Sequence, residues 1–166
     1  MRARPNTDVS RRAPSRQDPL VALHVINGHA KRLSRELEAA TRAGQTRRAG
    51  MLRQERAYLY TLKDKGARVL LEEGRLRPVR VEGDWLLLEG DSPLGPLGFH
   101  VPREAFGEAA QGVPHGKGRV PGALRRARRV TANSALPDAI AVVTRLIARA
   151  RVRKRSWRPE ATQGSE

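Results

Sequence analysis

The chain has 166 residues and a mass of 18.4 kDa, with 33 Lys and Arg against 17 Asp and Glu, for a formal net charge of +16. An apolar share of 39% with only 4% aromatics allows a lean core of Leu, Val, Ile and Ala and argues against a large, deep-pocketed enzyme. The absence of Cys excludes disulfides, thiolate zinc sites and Cys nucleophiles, and no apolar run approaches the roughly 20 residues of a membrane span.

Residues 1–18 combine Arg, Pro, Ser and Asp with almost nothing to bury, so a disordered basic arm is expected. No apolar stretch of the kind found in secretory signals occurs there, which points to a soluble, cytoplasmic protein, associated with the nucleoid if bacterial. Residues 19–74 read as a helical hairpin. Asp18 can cap a helix with Pro19 at its first position. Leu23, Ile26, Ala30, Leu33, Leu37 and Ala40 follow at spacings of 3, 4, 3, 4 and 3, a heptad seam. Gly44 supplies a left-handed stop and Thr46 can cap a second helix through Leu52, Leu59, Leu62, Gly66 and Val69 to Gly74. So short a turn requires an antiparallel pair. Glu55 and Arg56 lie near the second seam and interrupt its apolar face.

Residues 75–133 form a small β-rich module with a basic Gly/Pro loop. Val79 and Val81 alternate with Arg80 and Glu82, Gly83-Asp84 is a two-residue hairpin signal, and Trp85 to Glu89 returns as a mostly buried strand. The stretch GDSPLGPLG reads as a loop, and Phe99-His100-Val101 as a third short strand on the core. Three strands need a covering helix, from the hairpin or the carboxyl-terminal end. Arg103 to Ala110 suits a short helix, and residues 112–122 a flexible basic loop. Residues 134–158 make a basic helix with an apolar face of Leu136, Ile140, Val143, Ile147 and Ala150, and residues 159–166 a disordered tail. The expected fold is therefore α+β: an N-terminal antiparallel helical hairpin, a small three-stranded antiparallel sheet, a C-terminal basic amphipathic helix and disordered termini.

Charge is segregated along this plan. Residues 117–166 hold thirteen basic residues against three acids, whereas residues 75–116 hold four against six. Clustered Lys and Arg release condensed counterions from a polyanion, which scattered ones do not. The 28 Arg against five Lys carry less weight, since a GC-rich coding sequence writes Arg, Ala, Gly and Pro everywhere. The candidate phosphate contacts are Arg47 and Arg48 at the start of the second helix, Lys117, Arg119, Arg125, Arg126, Arg128 and Arg129 before the last helix, and Arg145, Arg149, Arg151, Arg153, Lys154, Arg155 and Arg158 on it, with Trp157 among them. Arg145, Arg149 and Arg153, four apart, share one helix face and can line a groove wall.

With two Trp, two Tyr and two Phe, and Trp85 and Phe99 on core strands, few rings remain for base stacking. The expectation is a non-enzymatic nucleic-acid-binding protein, mainly for duplex DNA through backbone contacts with little sequence readout, with structured RNA as the next choice. The alternative is a helical-hairpin adaptor whose charge only steers or solubilises. The seam residues Leu23, Ile26, Leu33 and Leu37 suggest a homodimer or a helical protein partner. No membrane partner, metal or cofactor is expected. His24 and His29 are five apart and do not share a helix face. His100 with Glu104, or His115 beside Lys117 and Arg119, has the residue types of a metal-independent ribonuclease without its motif spacing.

Overall fold

Asp18 is extended and its Oδ1 accepts from the amides of Leu20 and Val21 at 2.8 and 3.4 Å. Helix α1, Pro19–Arg42, thus starts where the cap and its proline place it. The computed structural model describes residues 17–118 and 136–156; the expectations for the basic arm before Gln17, for residues 119–135 and for the tail from Trp157 lie outside them. Gly44, at φ 69°, turns the chain back into helix α2, Thr46–Glu72. Thr46 is not the cap that the sequence suggests. It is the first residue of α2, and Gln45 before it makes no side-chain cap.

The α1 seam meets a matching one on α2, where Ala49, Leu52, Arg56, Leu59, Lys63, Gly66 and Leu70 recur at spacings of 3, 4, 3, 4, 3 and 4. Arg56 and Lys63 occupy seam positions, whereas Glu55 is exposed. Leu23 and Ile26 are fully buried and Leu37 nearly so, with Leu33 half-buried between two apolar clusters. The expected use of these four residues as a surface for a second copy or a helical partner is therefore corrected: they pack within their own chain. The first half of α1 goes further. Its uncharged run from Leu20 to Asn27 is buried on every side, because α2, the sheet and the last helix all pack around it. Each such Leu, Val or Ile contributes about 1.5–3 kcal/mol by leaving water.

Strands β1 (Arg77–Glu82), β2 (Trp85–Ser92) and β3 (Gly95–Pro102) form an antiparallel meander in that order. Gly83 makes the first turn at φ 61°. Val79 has no direct partner, since the register slips between Pro78 and Arg80, so the expected alternation carries a bulge. The loop expected at GDSPLGPLG is corrected to a hairpin. β2 and β3 pair without a break from Trp85↔Pro102 to Ser92↔Gly95, leaving only Pro93 and Leu94 in the turn. Ser92 holds that turn, its hydroxyl donating to the Gly95 carbonyl at 2.7 Å and accepting from the Leu94 amide at 3.1 Å. Glycine suits this strand pair because a Cβ on Gly90 would lie 2.3 Å from the Arg75 carbonyl oxygen. Trp85 is also corrected: it stands half-exposed at the strand start, while Phe99 is buried.

Val81, Leu86, Leu88, Phe99 and Val101 bury one sheet face in the core shared with α1. The β1 edge is bound by the segment after it, the Val81 amide donating to Pro114 O at 2.8 Å and the Gly116 amide to Val81 O at 3.0 Å. Residues 113–118 are thus held on the sheet rather than forming part of a free loop. Between β3 and that segment lie a 3₁₀ turn, Glu104–Phe106, and the short helix α3, Gly107–Ala110. Helix α4, Leu136–Ser156, packs on α1 and α2, so the sheet takes its cover from α1. The apolar face of α4 is rotated from the expected one. Ala139, Val142, Val143 and Leu146 are buried, whereas Leu136, Ile140, Ile147 and Ala150 are only half-buried.

Candidate nucleic-acid interface

A notch in α2 sets the position of α4. A Cβ on Gly66 would lie 2.8 Å from both Leu23 Cδ2 and Val143 Cγ1, so the missing side chain lets three helices meet closely. Further along α4, Arg153 Nη2 donates to Glu73 Oε1 at 2.5 Å and Lys154 Nζ to Glu72 Oε1 at 3.4 Å. Val143 beside Gly66 and Arg153 beside Glu73 mean that α4 runs in the same direction as α2. Its basic end therefore emerges at the open base of the hairpin.

Arg145, Arg149, Arg151, Arg153, Lys154 and Arg155 are all exposed there. Arg145, Arg149, Arg151 and Arg155 make no ion pair among the described residues. Arg145, Arg149 and Arg153 line an open groove of about 660 Å³ opposite Gln17, Pro19 and Arg75. Glu73 is the one acidic residue lining it among those described, and Arg153 faces that carboxylate. Arg75 donates to Asp18 Oδ2 at 2.7 Å, which fixes it at the groove edge. Guanidinium groups so placed offer forked donors to phosphate oxygens.

The structure brings Arg145, Arg149 and Arg153 of α4 to one groove, with Arg151, Lys154 and Arg155 exposed on the same helix, but it does not bring all of the expected contacts there. Arg47 and Arg48 are exposed at the opposite end of α2, about 40 Å away at 1.5 Å of rise per residue. Lys117 is exposed beside the β1 edge. Arg119, Arg125, Arg126, Arg128, Arg129, Trp157 and Arg158 lie outside the described residues. Arg75 is a groove residue that the sequence does not mark as a phosphate ligand. Its place directly after the Gly74 stop, at φ 75°, is the available signal that it sits at the hairpin base.

Two other polar clusters serve the fold. The imidazole of His100 pairs with the carboxylate of Glu82 rather than with Glu104, and Arg80 Nε donates to Glu82 Oε1 at 2.6 Å. The Arg80 hydrogen bond, with that of His100, holds the Glu82 carboxyl below its usual range. Arg80 also donates to Gly118 O at 2.7 Å, tying the strap after α3 to the sheet. His115 provides the backbone bridge to Val81. Lys63 is buried, 3% exposed, and donates to Asn27 Oδ1 at 2.8 Å and His100 O at 2.6 Å, with the Tyr60 and Phe99 rings 5.4 Å away. Burial lowers its pKa to about 8.

Among the described residues no three His, Asp or Glu are grouped to hold a metal, and no helix is long and apolar enough to cross a membrane. Trp85 and Tyr58 are half-exposed rings, and Trp85 lies in a groove whose charged lining is Asp84, Arg103 and Glu104. Compared with protein-family models, curated proteins and solved structures, the chain matches none.

Proposed function

We propose that this protein binds nucleic acid without catalysis, mainly duplex DNA, by backbone phosphate contacts from α4. The observation that carries this reading is the row Arg145, Arg149 and Arg153 facing Arg75 across a groove with a single lining carboxylate among the described residues. Such an open basic surface attracts a polyanion through its phosphates, so affinity is sequence-tolerant and strongly salt-dependent. Among the described residues no aromatic ring lines this groove, which favours duplex over single strands. The test is a titration of duplex DNA, single-stranded DNA and structured RNA at equal length across a salt series. Tightest binding to duplex, falling steeply with salt, supports the reading. Preference for structured RNA would redirect it to that ligand, and absence of binding to all three near physiological salt would overturn it in favour of an adaptor.

A further inference from the structure

The hairpin divides into two unlike halves. Its base is enclosed by the sheet and α4, whereas in its far half Leu37, Ala40, Ala49 and Leu52 form a separate small cluster among the described residues, with Leu33 between it and the main core. This arm, residues 31–56, carries eight basic residues against three acidic ones, whereas residues 57–73 of α2 carry three of each. Arg42, Arg47 and Arg48 crowd the tip and are exposed, together with Met51. Arg42 pairs with Glu38 at 3.4 Å with both side chains mostly in water, so this pair neutralises little. An arm held by its own small cluster adds little apolar burial to the main core, and its excess charge raises self-repulsion.

Among the described residues, exposed basic side chains thus gather at two poles at opposite ends of the hairpin, the arm tip and the α4 groove. Their separation of about 40 Å along α2 exceeds the Debye length of roughly 8 Å at physiological salt, so each acts on its own. We propose that the arm is a second duplex-binding surface and that one molecule bridges two DNA segments. This rests on the duplex-binding reading of α4. A single straight duplex touching both poles would have to lie along the hairpin flank, past the charge-balanced stretch of α2, whereas two duplexes each meet a basic end. Duplex stiffness makes wrapping of one short segment around both ends costly.

The experiment is a sandwich capture with the full chain. An unlabelled 15-base-pair duplex is immobilised, loaded with protein, washed, and offered a second, fluorescent 15-base-pair duplex, the mass of the protein in solution being measured at the same concentration. A monomer is expected to capture the second duplex. Replacing Arg42, Arg47 and Arg48 by Ala, with helicity checked by circular dichroism, is expected to reduce that capture by about tenfold or more while first-duplex affinity changes by less than about threefold. Equal capture by this variant, one duplex per molecule at saturation, or capture only by an oligomer would overturn bridging while leaving duplex binding standing. Failure to bind the first duplex at all would overturn both.

Discussion

Lys63 Nζ donates to Asn27 Oδ1 at 2.8 Å across the seam between α1 and α2, 36 positions apart in the chain. The ammonium occupies a position where the heptad pattern calls for an apolar residue, and its second hydrogen bond, to His100 O, ties the hairpin to β3. Burial disfavours its charged form and lowers its pKa from 10.5 to about 8. The unfolded chain therefore binds the proton more tightly than the folded one between those values, and stability rises with pH through that window. Urea unfolding of the wild type is expected to gain up to roughly 3 kcal/mol from this group between pH 8 and 10.5. Lys63→Met should remove that pH-dependent gain, and an unchanged slope in the variant would contradict the assignment.

The meeting of Gly66, Leu23 and Val143 makes a second test. Alanine is normally the better helix former by about 1 kcal/mol. Here its methyl would sit 2.8 Å from two packed side chains. Gly66→Ala is expected to destabilise by about 1–3 kcal/mol, seen in denaturant midpoints, because overpacking displaces α4.

Arg47 and Arg48 stand in the first turn of α2, which contains no acidic residue. Cations are disfavoured there by the helix dipole. Replacing each by Glu is expected to stabilise the fold by about 0.3–1 kcal/mol while weakening second-duplex capture. Opposite movement of stability and binding would mark these residues as placed for a ligand. Loss of stability on substitution would show that they support the arm instead.

The first cap and the turns are legible in the chain, because Asp18-Pro19, Gly44, Gly74 and Gly83-Asp84 act locally, whereas the cap expected at Thr46 is not formed. What escapes depends on tertiary neighbours. Lys63 reads as a solvated charge until Asn27 and His100 are placed beside it. Gly90 and Pro96 read as loop residues until the Arg75 carbonyl is found over one and the other is placed on β3, the outer strand of the meander. In α4 the large residues Ile140 and Ile147 suggest the buried face, yet Ala139, Val142, Val143 and Leu146 are the residues that the core covers. Of the candidate site, the Arg145, Arg149 and Arg153 row is legible from four-residue spacing, but not Arg75, which arrives from another element.

The two halves of the hairpin should differ in local stability. Leu23 is fully buried in the main core, and Leu23→Ala is expected to cost about 2–5 kcal/mol globally. Leu37 belongs to the small arm cluster. Hydrogen exchange should show faster opening around residues 33–52 than around residues 20–30, and Leu37→Ala should accelerate exchange in the arm alone. Uniform protection along α1 would contradict an independently packed arm.

The salt dependence of duplex affinity bears most directly on the proposed interface. Arg145, Arg149, Arg151 and Arg155 form no ion pair among the described residues, so their replacement by Ala leaves the Arg153–Glu73 and Lys154–Glu72 anchors of α4 in place. The slope of log affinity against log salt should flatten by about 0.9 for each phosphate that the protein no longer neutralises, with affinity falling alike for all sequences. A slope and affinity equal to those of the wild type would show that α4 does not meet the DNA.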